Sequence, residues 1–298
     1  MRYSIILAAM AAMTAQAEVR VDKLELKGAD EESKKAYFAQ PIRLWGTGKF
    51  MTDPAERVTL VSMSNAKTAF VFSLNGKLTA DKRWSTTIGM LKPSHANWFS
   101  SSFFNFEVDK ITDKECGAEI MNAAGSPESG SFIVRFTSPR LQADLKITLP
   151  DNDDKLLLEF TPKVAKPTEP NYRIDLLCYP GSYGGSYAAG EKLRRREAMT
   201  PVRLLPQTGS SYRLTPQDCW VLFYDNYFDI KDNRGEGPCA FLFNPKEAVR
   251  VDINVGNYAC LSRLWYPINQ PAFLILWDFN GWSNDAAKDY LKKMKIEF

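Results

Sequence analysis

The amino-acid sequence predicts an all-β fold: a large antiparallel β-sandwich with a short C-terminal α-helix. Three observations carry this. Between Ser131 and Thr161, apolar and polar residues alternate with period two, through Leu141, Ala143, Leu145, Ile147 and Leu149 and again through Leu156, Leu158 and Phe160. That period puts one face of each strand in a core and the other in water, as in an antiparallel meander. Runs rich in β-branched and aromatic residues recur along the chain, roughly fifteen of them, with no helices between them to build a parallel sheet. Only the last segment carries a helical stripe, Ala287, Tyr290, Leu291 and Met294, spaced i, i+3, i+4, i+7 as in a helix lying on a sheet.

In chain order, Arg2, the apolar run Ile5 to Met13 and the small-residue end Ala15-Gln16-Ala17 read as a secretory signal peptide over residues 1–17. Residues 18–298 are then expected to form one sandwich domain. Val19, Val21, Leu24 and Leu26 start a first strand, and Asp30 to Lys35 is a charged turn or short helix. Val58 to Met63 and Thr68 to Leu74 are strands, and Asn75-Gly76 predicts a type I′ hairpin turn, because both central positions need positive φ. Lys77 to Trp84 would be the return strand. After the meander, Pro162, Pro167 and Pro170 make a connection. Tyr172 to Tyr179, Val202 to Leu205, Cys219 to Tyr224, Cys239 to Phe243, Val249 to Val255, Cys260 to Tyr266 and Ala272 to Trp277 are further strands, and Gly181 to Gly190 is a surface loop. The helix is expected over about 284–295, capped by Ser283 or Asn284, with Asp285 and Lys292, Lys293 and Lys295 placed to suit its dipole.

Composition removes several functions. There is a single His, so sites needing two or three imidazoles cannot be built in one copy of the chain. A net charge of +3 from 38 basic and 35 acidic residues lacks the clustered basic excess of a nucleic-acid binder. No apolar run reaches the roughly 18 residues of a membrane span; the strongest, Pro271 to Phe279, is interrupted by Asp278. G-x-S-x-G, a P-loop and G-x-G-x-x-G are missing, so no cofactor is expected. Of the five Cys, Cys178, Cys219, Cys239 and Cys260 sit in apolar strand-like runs, where both disulfides and buried thiols are open readings.

The meander Ser131 to Val164, set in strands from Val58 to Trp277, resembles the galactose-mutarotase-like β-supersandwich of exported carbohydrate-active proteins. The resemblance is one of pattern and has no diagnostic motif. It implies a concave sheet face that holds a sugar. Sugar epimerases of that family use two His and a Glu, and this chain has only His95, which argues against mutarotase activity. The family's polysaccharide lyases gather Asn, His, Tyr and Arg at a uronate, and His95 and Asn97 lie close together here.

His95 could serve as a base, with Asn97 binding a carboxylate or hydroxyl and Trp98 stacking on a sugar face. Trp282 shares Trp98's polar, loop-like setting, whereas Trp220 and Trp277 read as core. Arg194, Arg195 and Arg196 could bind carboxylate or sulfate in bidentate fashion, or form a charged surface turn. Asp225 and Asp229 could be a carboxylate pair for glycoside hydrolysis. With Asp232 and Glu236 they have calcium-type oxygens but not the D-x-[DN]-x-[DN]-G spacing, so no metal is assigned. The sequence therefore reads as an exported protein that binds or helps process carbohydrate, in particular an acidic glycan. The alternatives are a polysaccharide lyase or glycoside hydrolase, and a non-catalytic structural or complex-forming envelope protein.

Overall fold

The structure is a computed structural model that describes residues 19–39, 53–78, 84–91, 103–181, 193–256 and 259–296. The signal-peptide segment, the His95, Asn97 and Trp98 segment, and most of the Gly181 to Gly190 loop lie outside these residues. Strands β1 (Arg20–Lys27), β2 (Glu56–Ser64), β3 (Ala69–Leu78) and β4 (Trp84–Leu91) make a four-stranded sheet in that order. The chain continues through β5 (Phe104–Val108), β6 (Ile111–Thr112), β7 (Gly117–Gly125), β8 (Ser129–Thr137), β9 (Leu141–Pro150) and β10 (Lys155–Val164). It goes on through β11 (Asn171–Cys178), β12 (Arg196–Met199), β13 (Leu204–Pro206), β14 (Tyr212–Arg213) and β15 (Trp220–Asp225). The last strands are β16 (Cys239–Phe243), β17 (Arg250–Val255), β18 (Cys260–Pro267) and β19 (Ala272–Asp278). A nine-stranded sheet is ordered β13-β12-β15-β16-β19-β10-β9-β8-β7, and a six-stranded sheet β14-β17-β18-β11-β5-β6.

Period-two patterning explains why the sheets stack. Leu141, Ala143, Leu145, Ile147 and Leu149 all point inward from β9 and are buried, as are Leu156, Leu158 and Phe160 from β10. Their rings interlock with the facing sheet: the Phe160 centroid lies 5.0 Å from Phe106, 5.4 Å from Phe104 and 5.6 Å from Tyr172. The four-stranded sheet joins the same core through Phe72, whose ring is 5.0 Å from Phe132 of β8. Its other face buries Val58, Leu60 and Val71 with Tyr37 of helix α1 (Glu31–Phe38). That helix starts where Asp30 accepts a hydrogen bond from the Ser33 amide at 2.7 Å, a side-chain N-cap.

Helix α2 (Asn284–Lys293) begins at Ser283, whose hydroxyl accepts from the Ala286 amide at 3.2 Å. It lays Ala287 and Leu291 on Trp220, Leu222, Tyr224, Ala240, Leu242 and Trp277 at the outer face of the nine-stranded sheet. Trp220 and Trp277 are therefore core, as their strands predicted. Every residue of β15 and β16 is buried, because one face meets the sandwich core and the other meets α2. No helix among the described residues is long and apolar enough to cross a membrane.

Two local expectations need correction. Asn75-Gly76 is not a turn: β3 runs through it, pairing Arg57 with Gly76 on one side and Gly76 with Thr86 on the other, and neither residue has positive φ. Long-range pairing on both edges outweighs the local turn preference. Pro162 does not open the connection either, since β10 continues to Val164. Partner β19 pairs with β10 only as far as Phe160, so the edge where the Pro162 N–H is missing has no β19 ladder to break.

Candidate functional site

The core turns polar at one end of the sandwich. In β12, β15, β16 and β19 the inward residues are apolar until the last inward position at this end, where Arg196, Asp225, Cys239 and Asp278 stand. Register aligns them: Arg196 is opposite Asp225, and Cys239 is opposite Asp278. The facing sheet brings Cys178 at the end of β11 and Cys260 at the start of β18, followed by Tyr179. Arg194, Arg196, Asp225, Asp229 and Asp278 are each no more than 3% exposed. Charged side chains are rarely buried so deeply unless paired or hydrogen-bonded.

Arg194, Arg196, Asp225 and Asp229 are held by identifiable contacts. Guanidinium carbons of Arg194 and Arg196 lie 4.1 and 4.3 Å from the centre of the Tyr179 ring, and Arg194 is also 5.0 Å from that of Phe228. Such stacking suits the weakly hydrated, planar guanidinium better than an ammonium. Arg196 Nε is 3.9 Å from Asp225 Oδ2, and Arg196 also donates to the Gly256 carbonyl at 3.4 Å. Asp225 Oδ1 accepts from the amides of Arg195, Tyr227 and Phe228 at 3.1, 2.9 and 3.1 Å. Asp229 Oδ1 accepts from the Lys231 and Asn284 amides, both at 3.2 Å, and the Asn284 side chain donates to the Asp225 carbonyl at 2.9 Å. Gly181, at φ +65°, lets the backbone pass this cluster, since a Cβ there would sit 2.8 Å from that of Asp225.

Among the described residues, Glu236 is the carboxyl with acid–base character near neutral pH. Burial, and secondarily the charge of Asp278, push its carboxyl up to about 7. The backbone explains the proximity. Beyond the β16–β19 pairing, the Phe279 amide donates to the Pro238 carbonyl at 3.0 Å and the Gly281 amide to the Glu236 carbonyl at 2.9 Å. Gly237, at φ +108°, allows that close approach, because a Cβ would lie 2.3 Å from the Phe279 carbonyl oxygen.

The sequence-predicted residues distribute as follows. Arg194 and Arg196 enter the cluster, while the Arg195 side chain is exposed and donates to the Arg194 carbonyl at 2.7 Å. The basic run is thus not a surface turn. Asp225 and Asp229 are brought together through Asn284, each with one carboxylate oxygen engaged by backbone amides, so they shape turns and anchor the start of α2. Trp282 is partly buried and packs edge-on against Phe279 and Tyr290, at 5.4 and 5.5 Å. Among the described residues no group of three His, Cys, Asp or Glu side chains is arranged to hold a metal. Sequence reasoning missed Asp278, Tyr179 and the acid character of Glu236. The one available signal was Asp278 itself, a charge ending an apolar strand.

No protein-family model matches the chain, and no curated protein matches it in sequence. Solved structures similar to it include two carbohydrate-active enzymes. An α-mannosidase from Enterococcus faecalis V583 shows 11% identity over 88% of this chain and 41% of its own, at a TM-score of 0.39. The galactosidase domain of an α-galactosidase–sucrose kinase shows 7% identity over 70% of this chain and 40% of its own, at a TM-score of 0.38. The chain spans about two-fifths of either protein. Both names belong to carbohydrate-active enzymes and neither is a mutarotase. At such scores the likeness does not bear on what this chain binds.

Proposed function

We propose that the protein is an exported carbohydrate-handling β-sandwich that holds a glycan at its polar end. The observation that supports this reading is the convergence of Arg194, Arg196, Asp225, Asp278 and Glu236 with Tyr179 where the strands of both sheets end. The buried members of this cluster form the frame, and the exposed Arg195 guanidinium and half-buried Glu236 carboxyl beside them are the groups able to meet a sugar's hydroxyls. The exposed Arg195, standing between the buried Arg194 and Arg196, directs the reading toward a uronate- or sulfate-bearing glycan. Calorimetry and a glycan array on the full chain test it: binding to acidic oligosaccharides that weakens at least tenfold in Arg195→Ala supports the proposal. Failure to bind any neutral or acidic glycan overturns it.

Glu236 favours a second reading, acid–base chemistry on the bound sugar. A carboxyl poised near 7 is partly protonated at neutral pH and so able to donate a proton to a departing glycosidic oxygen. Reducing-end release that disappears in Glu236→Gln while binding persists supports catalysis. Binding without turnover on every glycan bound leaves the protein a lectin-like module.

A further inference from the structure

A groove opens at the other end of the sandwich, where β10 outruns one of its neighbours. β19 pairs with β10 only as far as Phe160, whereas β9 stays paired with it to Val164. The ends of β8, β9 and β10 therefore project past β19, and Asn269, at φ +65° in the turn before β19, stands beside them. The step leaves an open groove of about 620 Å³, within the roughly 300–1,000 Å³ of ligand sites. It is separated from the polar end by the length of the ten-residue β10, about 30 Å at 3.3 Å per residue.

The lining is cationic and uncommitted. By register, Lys163 of β10, Gln142 of β9 and Thr137 of β8 form one row on the outer face of the sheet. In the next row inward the charges answer each other, with Arg135 donating to both carboxylate oxygens of Asp144 at 2.8 and 2.7 Å. In the groove row the Lys163 ammonium makes no ion pair among the described residues, and the side chains of Gln142 and Thr137 make no hydrogen bond there. Arg140, in the turn between β8 and β9, reaches the buried Asp109 carboxylate with one nitrogen at 3.4 Å while its side chain stays 61% exposed. Leu141, Pro162 and Val164 give the groove an apolar floor, and among the described residues neither a carboxylate nor an aromatic ring lines it.

These features select a ligand class. Without a ring the groove has no flat apolar face on which a sugar would stack, and two cations with unspent donors call for carboxylates. One strand spacing and two residues of rise put Lys163 and Arg140 about 8 Å apart along the ladder. Alternate side chains of an extended peptide lie about 7 Å apart on one face, a match that the long lysine and arginine arms complete. We propose that this groove docks an extended acidic peptide segment of a partner protein, with alternate carboxylates on Lys163 and Arg140, and with Gln142 and Asn269 hydrogen-bonding its backbone. The docking site is independent of the glycan reading, so either can fail while the other stands.

The probe is a short fluorescein-labelled peptide of alternating Glu and Thr, with alternating Gln and Thr as its neutral counterpart, titrated with the full chain and followed by fluorescence anisotropy. Lys163 and Lys146 are both exposed, and Lys146 lies outside the groove opposite Glu159, so Lys163→Glu and Lys146→Glu make the same change in charge at two places on one face. Binding of the Glu peptide that falls with added salt, weakens at least tenfold in Lys163→Glu and persists in Lys146→Glu supports the proposal. No binding, equal binding of the Gln peptide, or equal weakening in both variants overturns it. An acidic oligosaccharide that binds more tightly than the peptide, with the same dependence on Lys163, assigns the groove to a glycan and overturns the peptide.

Discussion

Removing the Asp225 side chain should cost far more than neutralising it. Its Oδ1 accepts from three backbone amides, and its Oδ2 faces the buried Arg196 guanidinium. In Asp225→Ala the three amides lose a shared acceptor, which costs about 3 kcal/mol at the usual 1–3 kcal/mol for a buried donor, discounted because one atom serves all three. The guanidinium also loses its counter-charge, and breaking a buried pair costs about 3–5 kcal/mol; the 3.9 Å separation places this one below that range. The sum is about 5 kcal/mol, a large share of the roughly 5–15 kcal/mol typical of a folded domain. Asp225→Asn keeps an acceptor at the Oδ1 position and loses only the charge, for about 2 kcal/mol. Urea unfolding of the three proteins measures the difference. If both variants unfold within 1 kcal/mol of the wild type, Asp225 does not organise the polar end. A purely chemical role would then be the better account of its burial.

Two further outcomes are expected. Phe160→Ala should lose about 3–5 kcal/mol, because the ring is 1% exposed and packed on three others from the facing sheet; a loss below 1 kcal/mol in thermal or urea unfolding would mean that the sheets do not meet there. Glu236 binds its proton more tightly folded than unfolded, since its carboxyl rises from 4.5 to about 7. The stability it contributes is complete below pH 4.5 and falls as pH rises toward 7, by roughly 1–2 kcal/mol after discounting for its contact with water. The difference between wild type and Glu236→Gln should follow that fall across pH 4.5–7, and parallel stability curves for the two proteins would contradict it.

The fold was legible where one face of a strand meets water. Leu141 to Leu149 and Leu156 to Phe160 announced their orientation residue by residue, and the helical stripe of α2 placed Ala287 and Leu291 on the sheet. Asn75-Gly76 misled because turn propensity is local, while β3 is held extended by partners on both edges. The candidate site was legible only in fragments. Arg194, Arg196, Asp225 and Glu236 stand out as charged residues, but nothing in their spacing tells that two guanidiniums stack on Tyr179 or that Asp278 lies beside Glu236. Those neighbours come from different strands, and only register brings them together. Burial, which decides the acidity of Glu236, has no sequence signature at all.

The double burial of β15 and β16 has a consequence for motion. Their amides have neighbours in the ladder on both edges and apolar cover on both faces, from the core and from α2. Local opening there requires lifting a helix as well as parting a sheet, so these amides should exchange with deuterium close to the rate of global unfolding. Asp225 ends one of these strands and Cys239 starts the other. The polar cluster is thus mounted on the slowest-opening part of the molecule, and its charged groups keep their spacing while the outer edges of the sheets, such as β13 and β14, fray and re-form.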